Sequence, residues 1–252
     1  MLISYSKVIT TKSRIYIKTY EHPILSGYTR NKRVALERLA EGHVQGITQQ
    51  ERSAFSLGRT QNKIKLIIEN NITPYSKFVT LTFGKASKDR TEAIKGFRTF
   101  AKAWQRKYGE RLKYLYVLER GKRYTKRLHI HAVIFNDRYI TLTEMRKLWR
   151  YGSARVNAID NTGNIGLYMV KYITKDTMKL NNKKGYISCN GLTQPSTTLY
   201  PDPLEIDHNM CDFIKHYTRP LYNNEGEIVG HSKVLLQEIS TIEAIIPHDK
   251  KG

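Results

Sequence analysis

The chain has 252 residues, 43 of them Lys or Arg against 22 Asp or Glu, for a formal charge of +21 and a pI near 9.9; so large an excess points to a polyanionic partner, nucleic acid first. A hydrophobic fraction of 40% and a charged fraction of 26% exclude wholesale disorder and the collagen-like and coiled-coil classes. No apolar run approaches the roughly 18 residues of a membrane helix, the opening MLISYSKVIT lacks a signal-peptide pattern, and Cys189 and Cys211 are too few for a disulfide framework, so a soluble protein of a reducing, intracellular compartment is expected.

The first twenty residues alternate around a polar TTKS turn and are rich in Ile, Tyr, Thr and Val, which predicts a hairpin. Thr48 to about Asn70 has helical spacing with a basic face and is ended by Asn70, Asn71 and Pro74. KFVTLTF, Lys77 to Phe83, is a predicted strand, and SKDRTEAIKGFRTFAKAWQRKYG a helix whose stripe of Ile94, Phe97, Ala101 and Trp104 is core, with Gly109 as its stop. LKYLYVLE and LHIHAVIF follow as neighbouring strands of an antiparallel hairpin across the basic turn RGKRYTKR. TLTEMRKLWR predicts a short helix with a Thr141/Glu144 capping box, SARVNAID a strand, and GLYMVKYITKDTMK a helix begun at Asn161 or Thr162. The order β-α-β-β-α-β-α predicts an α+β fold: a central antiparallel sheet with helices mainly on one face, the other left for a long ligand.

These elements divide the chain into a basic N-terminal extension, 1–73, a core, 74–180, and a C-terminal extension, 181–252, whose GYISCNGLTQPSTTLYPDPLEI carries too much Pro, Gly and Thr for a regular core and whose GEIVGHSKVLLQEI suits a last hairpin. Charge follows the same division: residues 1–70 contribute +7, 71–180 contribute +16 and 181–252 contribute −2. The middle is therefore the electrostatic footprint, and the tail is not expected to grip phosphate by charge. Lys122, Arg123, Lys126 and Arg127 cluster in the central turn as candidate DNA contacts.

His129 and His131 flank one apolar residue in a strand, whose period of two turns both imidazoles to one face. Glu119 ends the preceding strand and can bring a carboxylate to that face, giving a mixed N and O donor set suited to Mg²⁺ or Mn²⁺ with positions left open. The same spacing also serves ordinary surface histidines, and Glu119 could instead pair with Arg120 or Lys122. Tyr168 and Tyr172 stand at i and i+4 of the last helix, and Lys171 and Lys175 each follow a tyrosine by three. A phenol used as a nucleophile at neutral pH needs nearby positive charge or a metal-polarised phosphate; the alternative is an aromatic helix face packed on the sheet.

Together, FVTLTF, Glu119 before LHIHAVI, and YMVKYITKD resemble the three ordered motifs of the HUH endonuclease superfamily, over about residues 74 to 180, and most of all the rolling-circle replication initiators of filamentous phages and Gram-positive plasmids. The resemblance implies an RRM-like or ferredoxin-like palm, a divalent cation on Glu119, His129 and His131, and Tyr168 or Tyr172 as the nucleophile that leaves a 5′-phosphotyrosine and a free 3′-OH. It gives Thr80 and Thr82, in the first motif, a structural and DNA-contacting role. Related single-tyrosine enzymes place a polar or ligating side chain four residues after the nucleophile, which favours Tyr168, while Tyr172-Ile-Thr-Lys175-Asp176 resembles another single-tyrosine pattern. The partners expected are single-stranded or hairpin origin DNA and a bacterial host's helicase and polymerase, in its cytoplasm. No phosphate loop is present and no room is left for a helicase. A conjugative relaxase, an HUH transposase and, in a different class, a noncatalytic nucleic-acid-binding module are the alternatives.

Overall fold

The computed structural model describes residues 2–26, 49–84, 89–121, 127–159, 162–174, 176–177, 185–222 and 228–241. It divides into two compact units, one of Met1–Arg52 with Pro195–Gly252 and one of Ser53–Gln194.

The terminal unit is a five-stranded antiparallel sheet drawn from both ends of the chain. The expected opening hairpin is β1 (Leu2–Thr10) and β2 (Arg14–Ser26), turned by Thr11, whose amide and hydroxyl both donate to the Arg14 carbonyl, at 2.8 and 3.0 Å. The order is β8-β1-β2-β10-β9, with β8 at Ser196–Tyr200, β9 at Phe213–Tyr222 and β10 at Ile228–Ser240. GEIVGHSKVLLQEI supplies one strand of the last hairpin, not both; β9 is the other. The connection from β8 to β9 is tied down by polar contacts, the Leu204 amide donating to Ser6 Oγ at 2.8 Å and Gln237 Nε2 to the Ile206 carbonyl at 3.3 Å.

The central unit follows the predicted order. It runs α1 (Gln49–Asn71), β3 (Lys77–Phe83), α2 (Arg90–Tyr108), β4 (Tyr114–Arg120), β5 (Leu128–Ile134), α3 (Leu142–Leu148), β6 (Gly152–Ala158), α4 (Thr162–Val170) and β7 (Ile187–Ser188). The five strands pair antiparallel in the order β6-β3-β5-β4-β7. Strand alternation sorts the apolar side chains. Val79, Leu81 and Phe83, with Tyr116, Leu118, Ile130 and Ala132, join Phe97, Phe100 and Trp104 of α2 and Met145 of α3 in one core. Trp104 and Phe100 are fully buried there, so truncating either to Ala removes about 3–5 kcal/mol. Asp89 caps α2, accepting from the Thr91 amide at 2.9 Å, and Gly109 ends it at φ 71. The Thr141/Glu144 capping box opens α3.

Two expectations are corrected. Helices pack on the opposite face as well: Phe78, Leu115, Val117 and Val133 meet Ile64, Ile67 and Ile68 of α1 and Ile165 and Met169 of α4 in a second core, so only part of that face remains for a ligand. The basic-faced α1 helix thus packs through an apolar stripe. The segment after residue 184 does contain strands, β7 and β8, each at the edge of its sheet, where one partner suffices and Thr-rich or short sequences are tolerated.

Candidate nuclease site

The uncovered part of the second face is polar because three strands alternate in phase. On β3, Thr80 and Thr82 share the parity of Phe78, and the register sets Thr80 opposite His131 and Thr82 opposite His129. On the other side of β5, Glu119 lies opposite His129 and Val117 opposite His131. Directly paired residues of an antiparallel sheet point to one face, so the threonines, histidines and carboxylate share it.

Each imidazole is held through Nδ1. Thr82 Oγ1 lies 3.0 Å from His129 Nδ1 and Thr80 Oγ1 3.3 Å from His131 Nδ1, which directs both Nε2 atoms away from β3. The first-motif threonines therefore use their hydroxyls to orient the histidines. His131 is buried, and its Nε2 donates to Glu119 Oε2 at 2.7 Å. Burial, aided by the neighbouring charge of His131, pushes the His129 pKa below its ordinary value, which keeps the ring neutral, the form a metal ligand requires.

Gly121 marks the space beside His129. A Cβ at this position would lie 3.0 Å from His129 Nε2, so any larger residue intrudes where a ligand of that nitrogen would sit. Among the described residues no three His, Cys, Asp or Glu stand as a ready metal-ligating group. The donor chemistry fits a divalent cation, with two imidazole nitrogens, one carboxylate and a cradle kept open by glycine, while Glu119 is engaged with His131. Loading such a site would displace the His131 Nε2 proton.

The tyrosines come to the same place by a different local structure from the one expected. Helix α4 stops at Val170, and Tyr172 sits in the turn that follows, its amide donating to the Met169 carbonyl at 3.0 Å. The tighter i to i−3 bond swings Tyr172 inward. Its ring stacks on His131 at 3.8 Å between centroids, and its hydroxyl donates to the Tyr168 hydroxyl at 2.9 Å. Burial and the Tyr168 contact raise the Tyr172 pKa. Tyr168 is 37% exposed, packs edge-on to Phe78 and carries the Lys171 ammonium 3.2 Å above its ring centre.

The structure thus gathers Glu119, His129, His131, Thr80, Thr82, Tyr168, Tyr172 and Lys171 on one side of one sheet. Lys122, Arg123, Lys126 and Lys175 lie outside the described residues, while Arg127 closes the hairpin, its carbonyl accepting from the Gly121 amide at 2.8 Å. Sequence reasoning missed Gly121 and Phe78. The glycine directly follows Glu119-Arg120 at the strand end, and the phenylalanine shares the parity of Thr80; both signals were present in the strand period.

Residues 76–177 match the model of a family of replication-associated proteins, the ORF2 type. The matched stretch begins just before β3 and ends after the tyrosines. It is the segment that resembles the rolling-circle initiators, and the match supports a role in initiating DNA replication, with DNA as the partner. No curated protein and no solved structure matches the chain. No helix among the described residues is long and apolar enough to cross a membrane.

Proposed function

We propose that the protein nicks and rejoins single-stranded origin DNA through a tyrosine, starting rolling-circle replication. The observation that carries this reading is the hydrogen-bonded Tyr168/Tyr172 pair stacked against His131 of the His/Glu cluster. An aromatic helix face packed for stability alone would not set two phenol oxygens 2.9 Å apart beside paired histidines.

In this reading Tyr168 is the first nucleophile. Its oxygen is the acceptor of the Tyr172 hydrogen bond and lies beside the Lys171 ammonium, and both stabilise negative charge as the phenolic proton leaves to solvent. The phenolate oxygen bonds to phosphorus, the bond from phosphorus to the 3′-oxygen breaks, and that oxygen takes a proton to become the free 3′-OH. One phosphodiester is exchanged for another, so no nucleotide cofactor is consumed and reversal rejoins the strand. Glu119, His129 and His131 would hold Mg²⁺ or Mn²⁺, which when bound supplies polarisation of a phosphate oxygen. Thr80 and Thr82 keep both imidazoles aimed. A polymerase then extends the 3′-OH, and a separate helicase unwinds the duplex.

The test is incubation of the chain with labelled single-stranded origin oligonucleotide and Mn²⁺. The expected result is a cleaved strand and a denaturant-resistant protein–DNA adduct. Binding without cleavage at any divalent cation supports the noncatalytic module instead.

A further inference from the structure

The central sheet ends at β6, which pairs with β3 alone. Along β6 the alternation is clean: Ala154 is buried in the first core and Val156 packs against it, while Ser153, Arg155 and Asn157 are exposed. Those three therefore point to the opposite face, the one that carries the histidines and tyrosines. The register makes this specific. Ser153 pairs with Thr82, Arg155 with Thr80 and Asn157 with Phe78, so a row runs Arg155, Thr80, His131 across three strands and a second runs Ser153, Thr82, His129, Glu119 across four. With strands about 4.8 Å apart, the Arg155 and His131 backbones are about 10 Å apart, within the span of an extended arginine side chain plus one nucleotide phosphate.

We propose that Arg155, flanked by Ser153 and Asn157, is the phosphate grip by which single-stranded DNA crosses the β6 edge into the tyrosine site. The inference rests on the nicking reading above and adds the direction of approach. A guanidinium presents a rigid fork of donors that matches phosphate oxygens, and Ser153 and Asn157 supply neutral hydrogen-bonding groups one step along the strand on either side. The covered part of the face, under α1 and α4, leaves the β6 side beside the polar rows as a route to Tyr168. Cations on an edge strand also discourage pairing with another sheet. That role would show as aggregation on neutralisation; a phosphate grip shows in the salt dependence of DNA binding.

The experiment measures binding of the full chain to a labelled single-stranded oligonucleotide of mixed sequence, by fluorescence anisotropy over a salt series without divalent cation. Arg155→Ala is expected to bind about tenfold more weakly at low salt, with the slope of log K against log salt shallower by about 0.7, the value of one single-strand phosphate contact. Arg155→Lys should restore the slope, and Asn157→Asp, which adds a repelling charge to the same face, should weaken binding. Lys102→Ala, on the exposed side of α2, is the control for charge in general and should leave the slope closer to wild type than Arg155→Ala does. Wild-type affinity and slope in both Arg155→Ala and Asn157→Asp overturn the proposal, as does an equal loss in Lys102→Ala. Binding is read without cleavage, so a wild-type chain that binds and never cleaves sinks the nicking reading alone, while normal binding by Arg155→Ala in a chain that cleaves sinks this one alone.

Discussion

At the scale of single residues the two tyrosines are unequal, and the inequality is physical. Tyr172 is pressed onto His131 and gives its proton to a hydrogen bond, so burial and that bond hold it protonated; Tyr168 receives the bond at the exposed end of the pair. Tyr168→Phe is therefore expected to abolish the covalent adduct. Tyr172→Phe should keep it while slowing cleavage about tenfold, the worth of one neutral hydrogen bond to the nucleophile. An adduct of wild-type yield in Tyr168→Phe that disappears in Tyr172→Phe reverses the assignment. Thr82 offers a second residue-scale test, since its hydroxyl is the partner of His129 Nδ1. Thr82→Val keeps shape but removes the bond, and Mn²⁺ affinity by calorimetry should fall about 10–100-fold, as when other second partners of metal-binding histidines are lost. Unchanged affinity would remove Thr82 from the site's support.

At the scale of elements, what the sequence made legible was periodic and local, and what it hid depended on tertiary context. The period of two put His129, His131 and Glu119 on one face, and the capping box placed α3 correctly. The end of α4 was not legible, because YMVKYITK has no Gly or Pro to stop a helix; packing of Ile173 and Tyr172 on the second core ends it at Val170 instead. Gly152 is a comparable hidden constraint, at φ 152, where a Cβ would sit 2.2 Å from the Thr82 carbonyl oxygen. That carbonyl also accepts from Trp149 Nε1 at 3.3 Å, so Gly152→Ala must push β6 off the strand that aims His129. The expected outcome is about 1–3 kcal/mol of lost stability by denaturant unfolding, together with slower nicking. Glu144 gives the pH test of the α2–α3 junction. A hydrogen bond from Lys107, then those from the Thr141 amide and hydroxyl, hold its carboxyl at about 2, below its ordinary 4.5. The folded value is the lower one, so its contribution is fully present above 4.5 and is lost as pH falls toward about 2. The site is partly exposed, so the effect is modest. Melting temperatures across that window should fall less steeply for Glu144→Gln than for wild type, and parallel curves would show that the junction is not titrating.

At the scale of the whole molecule the charge profile was legible as segments but not as surfaces. The terminal sheet joins residues more than two hundred apart, as where Arg14 faces Ser240, and no local pattern announces such a pairing. It also mixes the +7 of the first seventy residues with the −2 of the tail, so the segment sums do not describe it. The +16 of residues 71–180 does belong largely to the unit that carries the site, and the β4–β5 connection concentrates it in Lys122, Arg123, Lys126 and Arg127, next in sequence to Glu119 and His129. Binding to single-stranded DNA should accordingly fall steeply with salt, because each phosphate neutralised releases its counterion. Neutralising all four residues together should weaken binding and flatten the slope of log K against log salt by up to about 3, at about 0.7 for each single-strand contact. Cleavage of bound DNA should be slowed far less than affinity, since the tyrosines and the His/Glu cluster are untouched. Arg127 alone is expected to affect both: its charge is among the influences that lower the His129 pKa and its backbone closes the hairpin under Gly121, so Arg127→Gln should alter cleavage as well as affinity. The measurement is a salt titration by anisotropy alongside single-turnover cleavage, and a fourfold-neutralised chain with the wild-type slope would assign the grip to other cations of the central unit.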